Sequence, residues 1–352
     1  MTSSLFDHPH FKSLLGHDNV AGLFTPEAEI DAMLRFEEAL ALAERDAGVI
    51  PPDAAAAISE AILAFTPNHD ALAAGVARDG LVVPSLIKTL RESLDEVYRS
   101  HLHFGATSQD VIDTGLMLRL RTAISVLRDD MIVLTATLDR LTDEQGDQTL
   151  MARTRMQRAL PIRLADRFAI WRRPLFDLVE GRGRLDQDMF AVQFGGPVGT
   201  LHQLGQLGPH VRKLLAERLD LVDPGCCWHT ERGRIADLAA WLSKVSSSLG
   251  KIGQDVALMA QNEIGDVVIS NGGRSSAMPH KNNPIRAELL VTLARYNAAL
   301  LGAIHQASLH ESERSGSAWG LEWLTLPPMI AASAAGLSNA DAMLAELQFH
   351  PS

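Results

Sequence analysis

The sequence predicts an all-α protein built on a bundle of long helices. Hydrophobic residues make up 46% of the 352 positions but aromatics only 5%. Long Ala/Leu-rich stretches of that kind favour helix over sheet, where β-branched and aromatic residues dominate. Apolar positions recur at helical spacing along the chain, and strand alternation is hard to find. Several patterns run without breakers for about 20 to 40 residues, or roughly 30 to 60 Å at the usual rise. A helix that long buries its apolar stripe most simply against others of its kind.

In chain order, residues 27–47 carry Ile30, Met33, Leu34, Ala41 and Leu42 on one stripe, until Gly48, Pro51 and Pro52 break it. Segments 53–65 and 84–98 read as shorter helices, so residues 1–101 form a small N-terminal helical domain. From Asp110 the character changes. Segments 111–144, 161–180, 231–269 and 284–311 are the long helices of a central domain, 102–352. Ala-rich helices suit close approach, including approach between subunits. No repeat, low-complexity tract or extended linker interrupts them.

A formal net charge of −11 argues against nucleic-acid and membrane-surface partners, which select basic faces. Adjacent Cys226 and Cys227 make no disulfide framework and point to a reducing compartment. The N-terminus lacks a charged-then-apolar leader. The most apolar window, 289–309, is interrupted by Arg295, Asn297, His305 and Gln306, which argues against a membrane span. A cytoplasmic protein is the expectation. Cys226, Cys227 and His229 lack a second ligand pair at metal-site spacing, so no metal is expected. His8, His10 and His17 read as surface residues, and no dinucleotide or phosphate-loop fingerprint is present.

The most informative stretch is 272–288. Gly272 and Gly273 permit unusual backbone conformations, while Pro279 and Pro284 exclude helix between them. The stretch should form an ordered polar loop ending where a helix starts at Pro284. It gathers Ser275, Ser276, His280, Lys281 and Asn283, which a mere connector would not need. Further polar segments sit at helix ends. Thr107 and Ser108 precede the helix over 111–144; they serve either as N-caps or, with the free helix amides, as an anion site. Arg153, Arg155 and Arg158 with Gln157 form either a surface face or a carboxylate grip. Arg314 lies in a late polar segment, 310–319. Together these patches suggest one composite pocket.

Ser275-Ser276-Ala277-Met278-Pro279-His280-Lys281-Asn282-Asn283-Pro284 resembles the signature of the fumarase/aspartase superfamily. Thr107 to Asp110 and Thr154 to Gln157 resemble its other two motif regions, in the right order. The likeness spans the chain from Phe36, Glu37 and Glu38 to Trp323. It implies a fumarase/aspartase-like all-helical fold with a central long-helix bundle. It also implies a homotetramer with active sites shared between subunits, and no metal or organic cofactor. The family's final small helical domain would be missing or truncated here. Segments 195–200, 228–234 and 250–266 resemble a lactonizing, cycloisomerase branch. The superfamily's catalytic His of a Thr-His-x-Gln motif falls at Arg155 here, and that branch resembles this chain in lacking the histidine. The alternative is a fumarate-releasing lyase such as adenylosuccinate or argininosuccinate lyase. A third possibility is a non-catalytic helical assembly, as in lens crystallins.

The resemblance implies a tricarboxylate substrate and a role for each residue. Cycloisomerisation adds a carboxylate oxygen across a C=C bond and places a proton α to another carboxylate. The aci-carboxylate formed on the way needs cationic and N–H stabilisation. Lys281, helped by Asn283, takes that role, and Ser275 delivers the proton, with Ser276 beside it. Thr107, Ser108, Gln157 and Arg314 hold carboxylates. His103 matches a catalytic histidine of adenylosuccinate lyase. Glu288 matches the partner of the missing His, so an Arg155–Glu288 ion pair is expected.

Overall fold

A computed structural model describes residues 4–180, 185, 187–270, 272–274, 277–278 and 281–350. The chain is mostly helical. Its helices are α1 (Lys12–Leu15), α2 (Asp18–Ala21), α3 (Pro26–Asp46), α4 (Pro52–Leu63), α5 (His69–Asp79) and α6 (Val83–Glu92), followed by α7 (Ser108–Gln145) and α8 (Leu164–Glu180). After them come α9 (Gly208–Leu219), α10 (Gly233–Met259), α11 (Ile285–Ala307) and α12 (Gly316–Glu346). Among the described residues, short strands pair antiparallel in three ribbons: β1 (Thr149–Thr154) with β2 (Gln157–Arg163), β3 (Val267–Ile269) with β6 (Leu347–Phe349), and β4 (Gly273–Arg274) with β5 (Asn282–Asn283).

Local chemistry sets several helix starts. Pro26 opens α3 behind Thr25, whose hydroxyl accepts the Ala28 amide at 3.2 Å. The Asn68 side chain caps α5 and Ser315 caps α12 in the same way. Gly80, at φ 71°, ends α5 in the left-handed conformation that glycine adopts freely.

The bundle core is α7, α10, α11 and α12, with α8 against α7 and α10, and α3 against α7 and α9. At 38 residues α7 spans about 57 Å. Helices α10 and α11 approach closely through glycine. A Cβ at Gly250 would lie 2.5 Å from the Ala294 methyl, and one at Gly253 would lie 2.5 Å from the Ala287 carbonyl oxygen. Each glycine weakens the isolated helix by about 1 kcal/mol relative to alanine, and the close packing offsets that. Buried Asn297 ties the three helices together, donating to the Ser246 hydroxyl at 2.6 Å and to Ser333 and the Met329 carbonyl at 3.1 Å.

The structure differs from expectation in several places. The helix expected over 84–98 ends at Glu92, α5 and α9 form where no helix is expected, and His17, expected at the surface, is half-buried against Asp130 at 2.9 Å. The helix expected over 231–269 stops at Met259, because residues 267–269 pair with the end of the chain. Residues 149–163 form a hairpin where no strand is expected. Helix α12 runs through Pro327 and Pro328 to Glu346, well past Trp323. Helix α11 starts at Ile285, with Pro284 in the cap position.

Candidate active site

The N-terminus of α7 is fastened by one carboxylate. Asp110, fully buried, accepts the Thr107 amide at 3.0 Å, as expected of a capping residue three places into a helix. It also accepts the Gly195 amide at 3.0 Å and the Gly196 amide at 2.9 Å. His229 Nε2 lies 2.7 Å from its Oδ1. Burial works against a charge on His229, but the hydrogen bonds and fields of Asp110 and then Cys227 outweigh it, and the His229 pKa is pushed up to about 9. Gly196 is required at its position: φ is +69°, and a Cβ would meet the Gly105 carbonyl oxygen at 2.7 Å. Asp110 thus locks the 103–107 loop, the 195–200 loop and the 226–229 segment into one unit.

Arg314 docks onto that unit from the loop ahead of α12. Its guanidinium donates to the Thr107 hydroxyl and to the Pro197 carbonyl, both at 3.1 Å, while the residue stays exposed. Thr107 and Arg314, both expected to hold carboxylates, therefore meet within one chain. Ser108 is half-buried as the first residue of α7, beside them. His103 lies on the loop leading in, with Nδ1 2.7 Å from Glu37 Oε1.

A second buried network braces this corner from below. Arg232 donates to both Asp113 oxygens, at 2.7 and 3.2 Å, and to both Glu322 oxygens, at 2.8 and 2.5 Å. Trp319 Nε1 donates to Asp113 at 3.0 Å, and Gln109 bridges Asp113 and the His229 carbonyl. The Arg232 guanidinium also lies 4.9 Å from the centre of the Trp228 ring. Burial and the Arg232 charge lower the pKa of nearby His310. Removing one member of such a network would strand a buried charge, at a cost of about 3–5 kcal/mol. Its effect is to hold α7, α10 and α12 in register under the site.

The signature loop is zipped at its ends. Gly273 pairs with Asn283, and Arg274 with Asn282, in the β4–β5 ribbon. Gly272 admits no side chain, since a Cβ would fall 2.0 Å from Asn282 Oδ1 and 2.8 Å from the Asn283 carbonyl oxygen. Ser275, Ser276 and His280 lie outside the described residues. The Lys281 amide donates to the Met278 carbonyl at 3.0 Å, and its side chain is exposed. Asn283 is half-buried, and Glu288 is exposed in the first turn of α11.

The β1–β2 hairpin carries Arg155 and Gln157, both exposed, to its tip. Arg155 (φ 47°) and Met156 (φ 67°) turn the chain with both residues in the left-handed region, the pattern of a tight hairpin turn. Arg153 is taken by a structural partner: its guanidinium lies 2.6 Å from fully buried Asp266. The expected Arg155–Glu288 ion pair does not form within the chain. Among the described residues neither side chain enters an ion pair, because one rides a projecting hairpin and the other faces outward from α11. No hydrogen bond joins the α7 corner, the hairpin tip and the β4–β5 ribbon to one another among the described residues.

Sequence reasoning missed Asp110 as the organising residue and set His229 aside with the cysteines. The spacing of Thr107 and Asp110, that of a capping box, was the available signal. Glu37 was missed too, although it lies on the same buried stripe as Met33, Phe36 and Leu40.

A lyase family profile matches residues 16–296. The chain belongs to this lyase family. Among its lyase relatives it is 37% identical over 335 residues to 3-carboxy-cis,cis-muconate cycloisomerase of Pseudomonas aeruginosa, covering 93% of this chain and 72% of the relative. The Bradyrhizobium diazoefficiens protein of the same name is 38% identical over 312 residues, covering 87% and 69%. The crystal structure of the 3-carboxy-cis,cis-muconate lactonizing enzyme from Pseudomonas putida superimposes with a TM-score of 0.90 at 34% identity, covering 97% of this chain and 78% of that one. The fumarase/aspartase-like helical fold is thus the fold of this lyase family.

Proposed function

We propose that this chain is a cycloisomerase converting 3-carboxy-cis,cis-muconate to a carboxymuconolactone. The observation that carries the reading is the match to relatives of that activity over nearly the whole chain, with the fold conserved at a TM-score of 0.90. Arg155 at the hairpin tip, where fumarate-releasing lyases of the family carry a histidine, agrees with it. The reaction moves atoms within one molecule. A substrate carboxylate oxygen bonds to an alkene carbon, and one proton goes to the carbon α to another carboxylate. That carbon's carboxylate passes through an aci form, which Lys281 and the loop amides stabilise. Ser275 supplies the proton. Thr107, Ser108 and Arg314 hold a second carboxylate at the α7 N-terminus, where amides and a guanidinium converge.

Arg155, Gln157, Ser276, Asn283 and Glu288 complete the site in a homotetramer. Two features support self-association: the hairpin exposes apolar Met156 (74%) and Leu160 (73%), and α11 turns Ile285 and Tyr296 outward. The enzyme works in the cytoplasm on a small tricarboxylate, with no nucleic-acid or membrane partner. The test is ultraviolet absorbance with 3-carboxy-cis,cis-muconate. Lactonization breaks the conjugated diene, so absorbance should fall with wild type and hardly at all with Ser275→Ala. A wild-type protein that leaves the diene intact overturns the reading.

A further inference from the structure

Just ahead of the α7 N-terminus, His103 adopts φ +61°, a left-handed conformation that a non-glycine residue takes only under strain. Strain of that kind needs something to hold it, and here the holder is visible. The ring lies on α3, with Nδ1 2.7 Å from Glu37 Oε1. The Glu37 side chain is 0% exposed, and its other oxygen has no hydrogen-bond partner, so the carboxylate is committed to this one contact. A buried carboxylate with a single partner is expensive unless that partner carries a proton and a charge. The His103 Nε2 has no partner among the described residues, and 14% of the side chain stays open. Past Gly105 the same loop reaches Thr107, where Arg314 docks.

We propose that Glu37 is a positioning residue that holds His103 as an imidazolium, its Nε2–H aimed at a substrate carboxylate beside Thr107 and Arg314. This rests on reading the α7 N-terminus as a carboxylate site. The charged groups facing the ring are Glu37 from α3, Asp110 from α7 and Arg91 from α6. Burial and Arg91 oppose the charge on the ring; Glu37 and Asp110 favour it, and together they leave the His103 pKa above its ordinary value. Farther along α3, Glu44 adds no competing charge at neutral pH, because burial pushes its carboxyl up to about 9. A charged His103 completes a cationic clamp that a neutral imidazole cannot, inside a protein that is acidic overall.

The test separates the charge from the reaction. Histidine Cε1–H resonances are followed by NMR from pH 5.5 to 9, with His103→Gln identifying the signal. In wild type the His103 midpoint should lie above 6.5, and citrate, a tricarboxylate probe, should move it higher. In Glu37→Gln the midpoint should fall to 6.5 or below. In kinetics with 3-carboxy-cis,cis-muconate, the wild-type KM should rise roughly tenfold as pH passes that midpoint. Glu37→Gln should show the raised KM already at pH 6, with kcat at saturation little changed. A merely structural role would lower thermal stability and leave both midpoints in place, which would overturn the proposal. Should Glu37→Gln fail to fold, the wild-type titration decides, since a midpoint that citrate leaves unmoved also overturns it. If citrate shifts His103 while the diene stays intact, the clamp stands and the cycloisomerase reading falls.

Discussion

Replacing Asp110 by Asn tests whether one buried charge organises the site. The change keeps the side chain's shape and removes the charge that His229 faces at 2.7 Å. The His229 pKa rises from 6.5 to about 9 on folding, mostly through Asp110 and in smaller part through Cys227. A raised folded-state pKa means the native protein holds the proton more tightly than the unfolded chain. The stabilisation is therefore fully present below pH 6.5 and is lost as pH climbs to about 9. At about 1.36 kcal/mol per pH unit, this amounts to roughly 3 kcal/mol at pH 6. A second, pH-independent loss arises because an amide cannot accept from Thr107, Gly195 and Gly196 as a carboxylate does. It is worth about 1 kcal/mol for each bond weakened. Urea unfolding followed by tryptophan fluorescence should show Asp110→Asn destabilised much more at pH 6 than at pH 9. Activity should fall at least tenfold at either pH as Thr107 and the 195–200 loop shift. A deficit of equal size at both pH values would refute the ion-pair reasoning, whatever happens to activity.

Arg314→Ala should raise KM by roughly ten- to a hundredfold, the loss of one charge-assisted contact. It should leave the unfolding midpoint nearly unchanged, since the residue is exposed; steady-state kinetics and a thermal melt check both. Glu44→Gln should improve stability at neutral pH relative to wild type. The Glu44 carboxyl is buried beside Glu37 with no hydrogen-bond partner, and its folded pKa is about 9 against an ordinary 4.5. Between those values the folded state keeps a proton that the unfolded chain gives up, so wild-type stability declines as pH rises. By pH 7 the decline is about 3 kcal/mol. Melts at pH 5 and pH 8 should show a smaller gap for Glu44→Gln than for wild type.

The long helices were legible because their cause is local. An apolar stripe at helical period, such as 27–47 broken at Gly48, Pro51 and Pro52, states its own limits, and α3, α7, α8 and α11 begin and end within a few residues of expectation. The helix start beside Pro284 was legible, but Gly272 and Gly273 keep ordinary φ values, and Gly272 is needed for close packing against Asn282 and Asn283 instead of for a left-handed turn. The β1–β2 hairpin was not, since its turn is made by Arg155 and Met156, without the Asn-Gly pair that usually announces such a turn. Nor was α12, which runs through Pro327 and Pro328 because buried Met329, Ile330, Leu337 and Leu344 pack it against the bundle. The sequence by itself determined which segments are helical and which residue types could handle carboxylates. Only the tertiary structure decided that Asp110 fastens Gly195, Gly196 and His229, that Arg153 serves Asp266, and that Glu37 holds His103. Those choices depend on burial and on partners tens to more than a hundred residues away. A buried carboxylate is stable only where those partners arrive, and no local pattern encodes their arrival.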